Sequence, residues 1–157
     1  MPPNRNNIVT GDKEIQGMLK RAPEHAYAVT RTAMGKSTTP IAKAMRANAK
    51  EVEDTGAYAR SIAKVTRSSA KFKKRGIVAG AVGPDKRHHE TTTNETGSEI
   101  RRQPNNYAHL VEYGTRHSRP LLVQSRAFES TKNQSVDVFL NTVPDALIKR
   151  MAKDGNK

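Results

Sequence analysis

The apolar positions of this chain recur first at helical spacing, then at strand spacing, and finally at helical spacing again. From Gly11 onward, Ile15, Met18, Leu19 and Ala22 fall at i, i+3, i+4 and i+7 on one face, which predicts a helix. Pro23 is expected to end it and to start the next, being tolerated at a first helical position. Ala26, Val29 and Ala33 continue as a narrow stripe of small residues. Ser37-Thr38-Thr39-Pro40 then reads as a cap with Pro at N1, opening a segment through Ile41, Ala44, Met45 and Ala49. Residues 23–50 are therefore read as either one kinked helix or two.

After Glu51–Gly56 the period changes. Ser61–Thr66 approaches alternation with Ile62 and Val65, and Gly76–Val82 gives a second strand with Ile77, Val78 and Val82. The polar turn between them carries Arg67, Lys71, Lys73, Lys74 and Arg75, so the pair predicts a β-hairpin with a basic tip. Residues 84–106 hold almost no apolar side chains, and a structureless insertion of that length is expected to be a functional loop or disordered. A last helical region begins near Leu121, includes Phe128, Val136, Phe139 and Leu140, is interrupted at Pro144, and resumes through Leu147, Ile148 and Met151. Helices, then strands, then a helix give an α+β class: N-terminal helices, a small antiparallel β-sheet with a β-hairpin, and a C-terminal helix. The expected organisation is a flexible arm over 1–10, a single α+β domain over 11–153 with its polar loop at 84–106, and a flexible tail over 154–157.

Composition sharpens this picture. The chain has 157 residues, enough for one domain, but only 34% hydrophobic and 4% aromatic residues and no Trp. Ala and Val dominate, and each buries little area, so a core built from them stabilises weakly at about 25 cal/mol per Å². Part of the chain is thus expected to gain order by packing against other subunits. The net charge is +13, from 28 Lys+Arg against 15 Asp+Glu, the balance of a protein that meets nucleic acid or another polyanion, or of a solvated surface facing an acidic protein. There is no Cys, which removes disulfides and thiolate metal sites. No apolar run approaches the roughly 20 residues of a membrane span, and the polar N-terminus has no signal-peptide hydrophobic region. No membrane partner and a cytosolic place of assembly are expected.

Candidate chemistry is thin. His88-His89-Glu90 invites a metal reading, but adjacent histidines match neither a strand face nor the i, i+4 spacing of a helical zinc site. No phosphate loop, Gly-x-Ser-x-Gly elbow or Cys nucleophile is present. No enzyme, cofactor or metal is expected. Lys71, Lys73, Lys74 and Arg75 are the best candidates for contacts to DNA phosphates, which would be sequence-independent and salt-sensitive; the plainer reading is a solvated turn. Arg101 and Arg102 are a second, weaker candidate.

Two segments carry a resemblance. Thr55-Gly56-Ala57-Tyr58 with Ser61-Ile62 is similar to a "TG-x-L-x-x-S-I" signature, with Tyr58 standing where Leu is usual. Tyr107-Ala108 followed by Val111-Glu112-Tyr113-Gly114-Thr115 is similar to "YA-x-x-V-E-[FY]-G-T". In this order, in a small basic chain opening on Gly11-Asp12-Lys13-Glu14-Ile15, they resemble the tailed-bacteriophage morphogenesis family of head–tail connector, neck and tail-completion (minor tail) proteins. The resemblance covers roughly residues 11–83 and 105–150. The stretch Arg119–Phe128 is only partly like the Pro-Phe-Leu-Arg-Pro-Ala-like segment of that family.

The resemblance implies a structural virion protein that forms a ring at the head–tail junction around the DNA channel and joins or completes the tail. Its implied partners are further copies of itself, six or twelve, the adjacent head-closure, adaptor or tail-terminator proteins, and genomic DNA held by non-specific electrostatics. It implies assembly in the host cytoplasm and no substrate or cofactor. Thr55, Gly56, Tyr58, Tyr107, Glu112, Tyr113, Gly114 and Thr115 are the motif residues, read as a subunit interface or as a fixed turn and core edge, with an arginine as the expected partner of Glu112. The competing reading is a small basic nucleic-acid-binding protein.

Overall fold

The computed structural model describes residues 12–52, 56–67, 74, 75, 77–94 and 96–155. The elements are α1 (Asp12–Asn48), a 3-10 turn (Ala49–Glu51), α2 (Ala57–Ser61), β1 (Ile62–Arg67), β2 (Ala79–Pro84), β3 (Glu90–Thr93), β4 (Glu99–Arg102), α3 (Pro104–Tyr113) and α4 (Val123–Gly155). The class is α+β, with helices at both ends of the chain and, among the described residues, two antiparallel sheets of two strands each. The expected arm over 1–10 lies outside the described residues. The last helix continues to Gly155, into the segment expected as a tail.

The frame is the pairing of α1 with α4, the most extensive contact between elements. The Nδ2 of Asn48, at the end of α1, donates to the carbonyl of Val123 at the start of α4, 3.3 Å away. Thr131, Gln134 and Val138 then lie beside Lys36–Ala47, so the two helices run antiparallel. The α1 side buries Val29, Ala33, Ala42, Met45 and Ala49, and the α4 side buries Val123, Ala127, Ser135 and Thr142. Small side chains at these positions let two long helices pack closely. The lean, alanine-rich composition is spent here.

None of the three prolines ends its helix. α1 is one continuous helix through Pro23 and Pro40, in place of the new start expected at Pro23, and α4 continues through Pro144, where an interruption was expected. A proline inside a helix removes one N–H and crowds the preceding turn. Before Pro40, Ser37 Oγ donates to the Met34 carbonyl (2.9 Å) and Thr38 Oγ1 to that of Gly35 (3.0 Å), each hydroxyl bonding back onto its own helix. The serine and threonine read as a cap therefore act within the helix. Packing against the opposite helix decides the rest, as tertiary contacts routinely override local propensity.

β1 and β2 pair antiparallel, in a register running from Ile62↔Pro84 to Arg67↔Ala79. The second strand begins three residues later than the sequence suggested; Ile77 and Val78 precede it. This sheet lies on α1. A Cβ at Gly80 would stand 2.8 Å from Thr38 Cγ2 and 3.0 Å from Met34 Cγ, so the strand sits where only glycine fits. Arg46 Nη2 reinforces the join by donating to the Ile62 carbonyl at 2.6 Å.

The segment 84–106, expected to be structureless, is ordered as a second hairpin. β3 and β4 pair from Glu90↔Arg102 to Thr93↔Glu99. Asn94 organises the turn: its Oδ1 accepts from the backbone of Ser98 (2.7 Å) and Thr96 (3.2 Å), and Gly97 takes φ +80°. Two-stranded pairing needs only backbone partners and compatible turn residues, and an Asn…Gly turn flanked by β-branched threonines supplies both. The lack of apolar side chains was a true sign of exposure and a false sign of disorder.

Candidate assembly surface

The two motif segments meet at one place, the junction of α2, α3 and α4. Gly56, at φ +81°, starts α2 from a left-handed conformation. That turn drives Tyr58 into the core, where its side chain is fully buried beside Met45, Ile62 and Val123. Its ring lies 6.1 Å from that of Tyr107, tilted by 38°, within the range where aromatic pairs attract beyond their buried area. Gln124 Nε2 reaches the Tyr58 hydroxyl at 3.5 Å. Tyr107 packs at the edge of the same cluster, so the segments bracketing both hairpins close on one another.

Glu112 is 5% exposed and faces the start of α4. One carboxylate oxygen accepts from the backbone N–H of Gln124 at 2.8 Å, and the other from that of Ser125 at 2.9 Å and from the Ser125 hydroxyl. The first N–H groups of a helix have no partner within it, and a carboxylate there also meets the positive end of the helix dipole. Glu112 is thus a cap supplied from another helix, and its partners are α4 amides rather than the arginine expected from sequence. The reach of Glu112 is set by Gly114, at φ +77° and ψ −177°. A Cβ there would lie 2.7 Å from both Pro120 N and Ser118 O. The chain turns back at once: Leu121 N–H donates to the Val111 carbonyl at 3.0 Å, and Thr115 closes a small turn with Ser118.

The remaining motif residues lie elsewhere. Tyr113 is 77% exposed and Thr115 sits on the exposed turn. Thr55, Lys71 and Lys73 lie outside the described residues. Lys74 and Arg75 are exposed between β1 and β2, well away from the junction in sequence. Gly56, Tyr58, Tyr107, Glu112 and Gly114 therefore come together as the internal lock of the fold, and Tyr113 and Thr115 remain on its surface.

Two ion pairs tie outlying segments to this junction. Arg60 donates to both oxygens of Glu90, at 2.7 and 2.6 Å, fastening α2 to β3. The Arg60 guanidinium, helped by His88 at 3.1 Å, holds the Glu90 carboxyl down to about 2. Arg126 clasps both oxygens of Glu51 at 2.9 Å, and this lowers the Glu51 carboxyl and raises the guanidinium. His88 is thus engaged with Glu90, and His89 Nδ1 lies 3.0 Å from the Arg87 carbonyl. Among the described residues no group of three or more His, Asp or Glu side chains could hold a metal ion, and no helix is long and apolar enough to cross a membrane.

Residues 13–114 match the family model described as "Bacteriophage HK97-gp10, putative tail-component". The chain belongs to this family. The match runs from the first turn of α1 to Gly114, so it takes in both hairpins and the whole lock except its α4 half. Membership in the HK97-gp10-like family carries a structural role as a phage tail component, a place in the virion, and contacts with other head and tail proteins. No curated protein and no solved structure matches the chain.

One surface escaped the sequence reading. The side of α4 facing away from α1 exposes Phe128 (51%), Val136 (56%) and Leu140 (59%), larger apolar groups than those it buries against α1. The three stand eight and four residues apart, a helical spacing that marks one side of the C-terminal helix.

Proposed function

We propose that this tail component forms a ring at the head–tail junction, around the channel through which DNA leaves, and joins or completes the tail there. The observation that carries this reading is the family match over residues 13–114 on a chain of net charge +13. A ring on that axis encloses a polyanion, and a basic lining eases its passage through phosphate contacts without reading sequence. Lys71, Lys73, Lys74 and Arg75, at the tip between β1 and β2, are the residues assigned to the channel. Tyr113 and Thr115 are the motif residues assigned to a neighbouring subunit, since an exposed tyrosine is the kind of group that protein interfaces favour. Gly56, Tyr58, Tyr107, Glu112 and Gly114 hold the fold that presents them. The domain is taken to span residues 11–153.

The test is the copy number of the chain in purified, complete phage particles, read by quantitative mass spectrometry. Six or twelve copies per particle support a ring on the axis. Absence from particles removes the structural reading and leaves a nucleic-acid-binding role, to be tested by salt-sensitive binding to duplex DNA.

A further inference from the structure

The outward face of α4 has a sequence symmetry of its own. Glu129, Val136, Val143 and Arg150 recur every seven residues, so they fall along one line of the helix, with Glu129, Val136 and Arg150 exposed and Val143 half-buried. Read along that line, the order is acid, apolar, apolar, base. Between the two valines lie Phe139, half-buried, and Leu140, 59% exposed. An antiparallel copy of the same helix, centred between Phe139 and Leu140, sets Glu129 against Arg150, Val136 against Val143 and Phe139 against Leu140. The two-fold axis then repeats every pair on the other side. A parallel copy sets Glu129 on Glu129 and Arg150 on Arg150. The line from Glu129 to Arg150 is about 32 Å long at 1.5 Å per residue, ample for a stable helix contact.

Charge supports the same occupant. In a chain of net +13, two copies repel over most of their surfaces. α4 is balanced, with five bases (Arg126, Lys132, Lys149, Arg150, Lys153) against four acids (Glu129, Asp137, Asp145, Asp154). It is a face on which like chains can meet without that penalty, and its apolar centre gains from being covered. Glu129 also pairs with Lys132 at 2.5 Å on its own helix, which leaves its second oxygen for a partner.

We infer that the free protein associates as a two-fold dimer through antiparallel contact of α4 with the α4 of a second copy. This goes beyond the ring reading. A ring requires a head-to-tail contact between different surfaces, whereas this contact joins a surface to itself, and it uses a helix beyond the family-matched residues.

The chain has no cysteine, so engineered cysteines report contacts without background. Val136→Cys and Val143→Cys chains, mixed under mild oxidation, are expected to crosslink to each other in preference to like with like. Sedimentation of the wild type should show a dimer within roughly 1–100 µM. Glu129→Arg should weaken it about tenfold, since two attractive pairs become repulsive, and Glu129→Arg/Arg150→Glu should restore it. Leu140 is exposed, so Leu140→Asp should abolish the dimer with the helix content of the monomer unchanged. A wild type that stays monomeric throughout that range, preferential crosslinking of like with like, or a double swap no tighter than Glu129→Arg would each overturn the proposal. Ring copy number in particles is read separately, so either reading can fail without the other.

Discussion

The α2–α3–α4 junction and the β3–β4 hairpin are both built from polar, turn-forming sequence, yet they are held in opposite ways. At the junction a buried tyrosine, a buried carboxylate and a left-handed glycine act on one another within a few residues. The hairpin leans on the body chiefly through the Arg60–Glu90 pair, with Gln103 Nε2 donating to the Lys86 carbonyl at its base. Buried polar groups must be satisfied internally, so changing one is costly, whereas exposed pairs exchange their partners for water at little loss. Most of the motif is therefore packed into the fold, and Tyr113 and Thr115 are the part of it left on the surface. Substitutions at three positions test that contrast, in descending order of expected effect.

Gly114→Ala should be the most damaging. The φ of +77° with an extended ψ is a region essentially limited to glycine, and the added Cβ would meet backbone atoms that no side-chain rotation can move. A loss on the order of 3 kcal/mol in urea unfolding is expected. A loss below about 1 kcal/mol would mean that the 115–120 turn adapts, and that the junction is no stiffer than the hairpin.

Glu112→Ala comes next. It leaves the amides of Gln124 and Ser125 without their acceptor, at a cost of about 2 kcal/mol, with Glu112→Gln near half of that because one carbonyl oxygen remains. Thermal unfolding of the two variants side by side checks both the size and the order. Equal losses would show that the charge, acting on the helix dipole, outweighs the number of hydrogen bonds.

The same contrast explains what could be read from the sequence. Periodicity located both long helices, because apolar spacing at 3.6 residues survives whatever packs on it. It placed breaks at Pro23 and Pro144 and left Pro40 open, since a proline's local cost is outweighed by an opposing helix that no local window contains. It took 84–106 for a loop because a hairpin without apolar side chains has no hydrophobic pattern, although Asn94 and Gly97 marked the turn. The motif residues were found by resemblance, but their roles depended on burial. Tyr58 and Glu112 look like interface groups in a string of letters and are internal ones in space. The apolar residues of α4 were legible as a helical pattern, but which of them stay exposed depends on where α1 packs, and that is not written in α4 itself.

The smallest effect concerns the hairpin and acid. Arg60 and His88 hold the Glu90 carboxyl down to about 2, below the 4.5 of the ordinary group. A carboxyl lowered on folding contributes stability that is complete above about 4.5 and drains away as pH falls from there through 2. The Glu90 side chain is 20% exposed and that of Arg60 55%, so solvent screens the pair and little of the global stability rests on it. The effect should appear locally. Amide-exchange protection across Thr91–Thr93 and Ile100–Arg102, corrected for intrinsic rates, should fall between pH 5 and pH 2, with the α1–α4 helices retaining theirs. Glu90→Gln should show the loosened hairpin already at neutral pH and lose the acid response of that segment. Unchanged protection in the variant would place the anchor elsewhere, with Gln103 the next group to remove, and the hairpin would then belong with the junction as a fixed part of the body.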